Sequence, residues 1–233
     1  MSSLAPPETS RPRVEACVFD AYGTLFDVHS AVARHAAAVG PEAEQVSRLW
    51  RQKQLEYSWT RSLMRRHADF WTVTREGLDF ALAAHGLSDP ALAATLMDAY
   101  RGLDAFPEVP AMLARLRERG LRTCILSNGS PRMLDDAVRS AGIGAWIDLV
   151  LSIEECGIYK PDPSVYAMTV KRLGVAPGAI SFQSSNPWDA AAAAANGFQV
   201  VWINRAAQPL EYGWVLRGRE ARDLSSLPDL VTA

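Results

Sequence analysis

Asp20 closes a short apolar run, and Thr24 follows it four residues later across a glycine, in the stretch Ala-Cys-Val-Phe-Asp-Ala-Tyr-Gly-Thr at positions 16–24. That places a carboxylate at the carboxyl end of a strand, where open α/β sheets build their sites. The residue two after Asp20 is Tyr22, and it separates two chemistries. In the phosphotransferase pattern Asp-x-Asp-x-Thr the second aspartate protonates the leaving oxygen, and a phenol with a pKa of about 10 is a poor replacement. Asp20 therefore reads as a nucleophile acting on a leaving group that needs no proton, and halide is such a group. Taken alone, it also fits a residue that merely ends a strand and caps a turn.

Three further segments weigh against that plainer reading. Leu126-Ser127-Asn128-Gly129 ends a second apolar run, Tyr159-Lys160-Pro161-Asp162 puts a lysine in a loop, and Ser184-Ser185-Asn186-Pro187-Trp188-Asp189 ends a third run. The stretch Leu49-Trp50-Arg51-Gln52-Lys53-Gln54-Leu55-Glu56-Tyr57 lies between the first two. Together, over about Val14 to Arg205, these motifs resemble the L-2-haloacid dehalogenases of the haloacid dehalogenase superfamily.

The resemblance implies hydrolysis of short-chain (S)-2-haloacids to (R)-2-hydroxyacids with inversion, through a covalent ester on Asp20. It assigns the substrate carboxylate to Ser127 and to the backbone N–H groups after Asp20, beginning at Ala21. Arg51 and Asn128 become donors to the departing halide, and Tyr22, Leu55, Phe70 and Trp188 line the pocket. A large, weakly hydrated anion suits a delocalised cation and ring edges. Lys160 is the fixed charge expected to keep Asp20 ionised, and Tyr166 matches a family position near it. Ser184, Asn186 and Asp189 are expected to place and activate the water that opens the ester, with Asp189 as base and Thr24 completing the catalytic set. Simpler roles remain open for several of these: a solvated arginine, a surface lysine before a proline turn, ordinary packing for Leu55 and Phe70, helix capping for Asp189. Asp162 reads as a turn residue.

Magnesium-dependent relatives carry acidic residues early in the fourth motif, where this chain has Ser184 and Ser185. Two carboxylates with a lysine between them make a poor magnesium cage, so neither metal nor other cofactor is expected. Two positions depart from the family pattern. Gln183 stands where a strand residue is usually apolar, and Pro187 follows Asn186, whose backbone a proline biases toward extended conformations and so threatens to displace. The competing functions are a phosphohydrolase of the same fold and a catalytically weakened binding protein with the same pocket.

These residues need a scaffold. Apolar runs at 16–19, 122–126, 149–152, 180–183 and 200–203 alternate mostly with helical stretches, which argues for a Rossmann-like parallel sheet wrapped by helices, an α/β fold. About eighty residues between the first two runs are helical by pattern and too long for one crossover. We read 29–106 as a helical cap inserted after the first strand, with 1–28 and 107–233 forming the core. Within it, 46–64 places Leu49, Trp50, Leu55, Tyr57 and Leu63 as the apolar side of an amphipathic helix. Residues 190–195, all alanine before Asn196-Gly197, predict a helix of small side chains with a glycine stop.

With 233 residues, 48% of them hydrophobic, there is ample material for a core. A net charge of −2 argues against nucleic acid or an anionic membrane surface as partner and favours a small haloalkanoate and its halide. The first thirteen residues read as a loose leader without an apolar signal core, and no apolar stretch approaches the roughly 20 residues that cross a bilayer. Three cysteines, two of them inside apolar runs, read as free thiols of a reducing cytoplasm. The family commonly forms homodimers, which the resemblance extends to this chain.

Overall fold

The computed structural model describes residues 12–216 and 218–232, so the leader expected at the amino terminus lies largely outside the described residues. Five strands fall where apolar runs predict them: β1 (Ala16–Phe19), β2 (Arg122–Ser127), β3 (Leu149–Ser152), β4 (Ile180–Ser184) and β5 (Gln199–Ile203). A sixth, β6 (Arg219–Ala221), carries no apolar run and went unpredicted. The sheet has the order β3-β2-β1-β4-β5-β6 with every pair parallel. The chain winds outward in one direction from β1 and then, from β4, in the other, so the order reverses beside β1. Interior strands covered on both faces read as unbroken apolar runs, and β1 is buried along its whole length.

Between β1 and β2 stand α1 (Ser30–Arg34), α2 (Ala36–Val39), α3 (Ala43–Met64), α4 (Phe70–Ala84) and α5 (Pro90–Arg101), followed by α6 (Val109–Glu118) on the sheet. The chain leaves and re-enters the sheet layer side by side. Asp27 N–H donates to the Asp104 carbonyl at 2.8 Å and Phe106 N–H to the Leu25 carbonyl at 3.0 Å, with an antiparallel bridge between Phe26 and Ala105. The remaining helices are α7 (Pro131–Ser140), α8 (Pro163–Leu173), α9 (Pro187–Ala195) and α10 (Leu227–Thr232). Asp162 is the N-cap of α8, accepting from Ser164 N–H at 2.9 Å, in keeping with its reading as a turn residue. Helix α9 ends at Asn196, and Gly197 takes φ +85° after it, as the glycine stop requires.

Helix α3 corrects the expectation for its face. Its buried stripe is Val46, Trp50, Gln54 and Ser58, while Leu63 is 85% exposed and Leu49, Leu55 and Tyr57 are only half-buried. The cause lies in α4: a Cβ added at Gly77 would meet Gln54 N at 3.1 Å and the Trp50 carbonyl at 3.3 Å. The two helices touch backbone to backbone there, so the contact face of α3 carries small and polar side chains around one tryptophan.

Candidate active site

Asp20 is presented by the sheet itself. Its N–H donates to the Gln183 carbonyl of β4 at 2.9 Å, continuing the ladder one residue past β1. The chain then turns tightly: the Ala21 carbonyl accepts from the N–H groups of Leu25 and Phe26, and Gly23 takes φ +93°. That turn returns Thr24 to the carboxylate. Its hydroxyl donates to Asp20 Oδ2 at 3.1 Å and accepts from Ser185 N–H at 2.8 Å, tying the loop after β1 to the loop after β4.

Lys160 bridges two carboxylates. Its Nζ lies 3.1 Å from Asp20 Oδ1 and 2.8 Å from Asp189 Oδ2, and all three side chains are buried. Burial pulls the lysine's pKa down, but the charges of Asp189 and Asp20 and their hydrogen bonds outweigh it, so the ammonium holds its proton above the usual range. Burial pushes Asp189 up from the ordinary carboxylate value; Lys160 opposes the shift and Asp20 adds to it. The other oxygen of Asp189 accepts from the Tyr166 hydroxyl at 2.6 Å, and burial, reinforced by Asp189, pushes that phenol well above its usual value. Asp189 sits in the first turn of α9 with its side chain turned to Lys160 and Tyr166, and the N-cap position belongs to Asn186.

Asn186 is in place despite Pro187. Its Nδ2 donates to Asp20 Oδ2 at 2.8 Å, and its backbone, at φ −86° and ψ 111°, is the extended conformation an N-cap needs. Pro187 is the first residue of α9, the helix position that lacks an N–H partner anyway. The expected displacement of Asn186 is absent because the proline bias and the cap demand the same conformation. Ser184 accepts from Asn186 N–H at 3.1 Å. Gln183 is fully buried; Nε2 donates to Ser181 Oγ at 2.6 Å, and Oε1 is left without a partner.

At the end of β2, Ser127 Oγ accepts from Gly129 N–H at 3.0 Å, and Asn128 Oδ1 accepts from Lys160 N–H at 3.0 Å, which leaves the Asn128 amide N–H₂ to face other partners. A Cβ on Gly129 would stand 2.7 Å from the Tyr22 ring, so only glycine fits. Arg51 reaches across from α3: Nη2 donates to the Tyr22 carbonyl at 3.1 Å and to Asn186 Oδ1 at 3.4 Å, and Nη1 to Gln54 Oε1 at 2.7 Å. The arginine is thus no solvated surface cation.

Aromatic rings wall the site. Tyr22 packs on Phe70 with centroids 5.8 Å apart and stacks on Tyr100 at 5.6 Å, and Phe70 meets Tyr159 at 5.9 Å. The Trp188 ring meets Trp59 edge-on at 5.3 Å. A groove of about 790 Å³, whose lining includes Trp59, Tyr159, Lys160, Trp188 and Trp214, adjoins this corner. Leu55 is half-buried. Sequence reading missed Gln54, Trp59, Tyr100 and Tyr159. The first two lie along α3 from Arg51, and the contacts that bring them to the site, Gln54 with Arg51 and Trp59 with the Trp188 ring, carry no local signal.

A family model for haloacid dehalogenase-like hydrolases matches residues 14–197. The chain is 48% identical over 219 residues to (S)-2-haloacid dehalogenase 1 of Pseudomonas sp. (strain CBS-3), covering 94% of this chain and 96% of that protein. The chain belongs to the (S)-2-haloacid dehalogenases. It is also 47% identical to (S)-2-haloacid dehalogenase 4A of Burkholderia cepacia, over 92% of this chain and 93% of that one. Among solved structures, the L-2-haloacid dehalogenase of Xanthobacter autotrophicus with chloropropionic acid covalently bound superposes with a TM-score of 0.87 at 38% identity, covering 94% of this chain and 98% of that one. The parallel α/β sheet described above is the fold this chain shares with that structure.

Proposed function

We propose that this chain hydrolyses short-chain (S)-2-haloacids to (R)-2-hydroxyacids with inversion, through an ester on Asp20. One observation carries the reading: the Asp20 carboxylate stands at the end of β1 held by Lys160, Thr24 and Asn186, while the residue two along is a buried tyrosine and not an acid. Burial pushes the Tyr22 phenol well above its usual value, which makes it a still poorer proton donor to a leaving oxygen.

Oδ2 of Asp20 carries two donors and Oδ1 one, so Oδ1 is the freer nucleophile. It attacks the α-carbon opposite the carbon–halogen bond; the C–O bond forms, the halide leaves with the bonding pair, and the configuration inverts. Arg51 and the Asn128 amide receive the halide, Ser127 and the N–H groups from Ala21 onward hold the substrate carboxylate, and Tyr22, Leu55, Phe70 and Trp188 exclude water. A water positioned by Ser184 and Asn186 then attacks the ester carbonyl of Asp20 and gives its proton to Asp189, whose raised pKa suits a base. The tetrahedral intermediate collapses, breaking the bond between the Asp20 carbonyl carbon and the oxygen that leaves with the product. That alkoxide takes the proton held by Asp189 and departs as the hydroxyacid, and Asp20 returns to its carboxylate by losing the remaining proton of the attacking water to solvent. Lys160 compensates the carboxylate charges through both steps.

The donor set supports chemistry without a metal, since the Lys160 ammonium occupies the space between Asp20 and Asp189 that a bridging cation would need. We take residues 29–106 as a cap closing over the strand ends, the protein as a homodimer, and its location as the cytoplasm, in line with its buried free thiols Cys17 and Cys124. No helix among the described residues is long and apolar enough to cross a membrane. The test is chloride release from each enantiomer of 2-chloropropionate with excess chelator. Release from the (S) form alone, yielding (R)-lactate, is expected; release that stops on chelation and returns with magnesium refutes the metal-free reading, and no release from either enantiomer refutes the function.

A further inference from the structure

We infer that Gln54 is a positioning residue that aims the Arg51 guanidinium at the departing halide while leaving its charge intact. The inference rests on the role proposed for Arg51. Gln54 is 1% exposed, in the stripe of α3 that packs on α4, and a primary amide in such a place is costly unless both ends are satisfied. Both are. Oε1 accepts from Arg51 Nη1 at 2.7 Å; Nε2 donates to Thr74 Oγ1 at 2.7 Å and to the Tyr100 hydroxyl at 3.2 Å.

The surroundings permit one orientation of this amide. A guanidinium only donates, so oxygen must face Arg51 and nitrogen must face away. Thr74 has given its proton to the Phe70 carbonyl at 2.6 Å and is left to accept. Tyr100 is itself wedged between Trp50 and Tyr22, at 5.0 and 5.6 Å between ring centroids. Gly77 lets α4 close against the backbone of Gln54, so residues of α4 and α5 grip a side chain of α3. With Nη1 anchored, the fork turns Nη2 toward the Tyr22 carbonyl and Asn186, beside Asp20.

The neutrality of the anchor matters. A carboxylate at position 54 would hold Arg51 equally well but would cancel the positive charge an anion needs. An amide fixes the geometry and leaves the whole charge to the halide.

Bromide affinity, read by bromide NMR line broadening, and first-turnover chloride release from (S)-2-chloropropionate test this. Gln54→Met should weaken bromide binding and slow chloride release by about tenfold to a hundredfold, the worth of a hydrogen bond to a charged group, with KM changed less than about twofold. Placed on Arg51→Lys, the same change should cost less than about twofold further, because two residues acting through one contact are not additive. Gln54→Glu, of the same shape, should weaken bromide binding at least as much, and it decides the matter if Gln54→Met does not fold. Wild-type bromide affinity and chloride release in these variants, or a full additional loss on Arg51→Lys, would overturn the inference. So would a wild-type protein that binds no bromide. A wild-type protein that binds bromide in a Gln54-dependent way yet releases no chloride leaves the inference standing and refutes the proposed function.

Discussion

Lys160 donates to Asp189 Oδ2 across 2.8 Å with both side chains cut off from solvent, and the same ammonium reaches Asp20. Two buried carboxylates thus lean on one cation. Removing it leaves both unpaired, so Lys160→Met should cost about 3 to 5 kcal/mol at pH 7 by urea denaturation.

The pH dependence follows from the direction of the shift. Folded Lys160 holds its proton above the ordinary 10.5, so its contribution is complete below about pH 10.5 and is lost as pH climbs through the raised value. Asp189 runs the other way, subtracting stability as pH rises from 3.8 through its own raised value. The stability gap between wild type and Lys160→Met should therefore narrow above pH 10.5, and a gap that widens there would contradict the pairing.

Asp20→Asn should leave the fold intact and reduce turnover by at least about a thousandfold, because an amide of the same shape is a far weaker nucleophile. A single turnover of wild type in ¹⁸O-water should place unlabelled oxygen in the product. Label in the product from that first turnover would exclude an Asp20 ester.

Tyr166→Phe removes the hydroxyl that donates to Asp189 Oδ1 at 2.6 Å and leaves Asp20, Arg51 and Asn128 untouched. Ester hydrolysis should slow by about tenfold or more while alkylation keeps its rate, since a hydrogen bond to a charged group is worth about 1.5 to 3 kcal/mol. Rapid mixing should then show a burst of chloride that wild type lacks. Equal slowing of both steps would mean that Tyr166 supports the whole site.

Pro187→Ala should change turnover by less than about twofold, because Asn186 already has the conformation that proline prefers. Thermal unfolding should reveal a loss of about 0.4 to 1 kcal/mol, the entropy that proline removes from the unfolded chain. Faster steady-state turnover in the alanine variant would instead show that the ring hinders ester hydrolysis.

The strands that carry the chemistry, and the loops that follow them, are legible in the order of residues alone. In β1 and β2 the apolar stretches 16–19 and 124–126 stop at Asp20 and Ser127, as a parallel strand buried on both faces demands, while β4 shows the same pattern only in Ile180 and Phe182, alternating with the buried Ser181 and Gln183. Strand β6 was invisible because Arg-Glu-Ala at the sheet edge is held by backbone pairing to β5 and needs no apolar side chains. Tertiary structure decided what the loops do to one another. Tyr166 reads as an ordinary residue of α8 until α9 brings Asp189 to its hydroxyl, 23 positions away. Hydrophobicity ranks Leu63 above Gln54 for the buried face of α3, whereas burial follows the close approach that Gly77 allows. Gln54 and Tyr100 joined the site for the same reason: a buried polar side chain is chosen by the partners that satisfy it, and those partners lie 20 and 46 residues along the chain, beyond the reach of any local pattern.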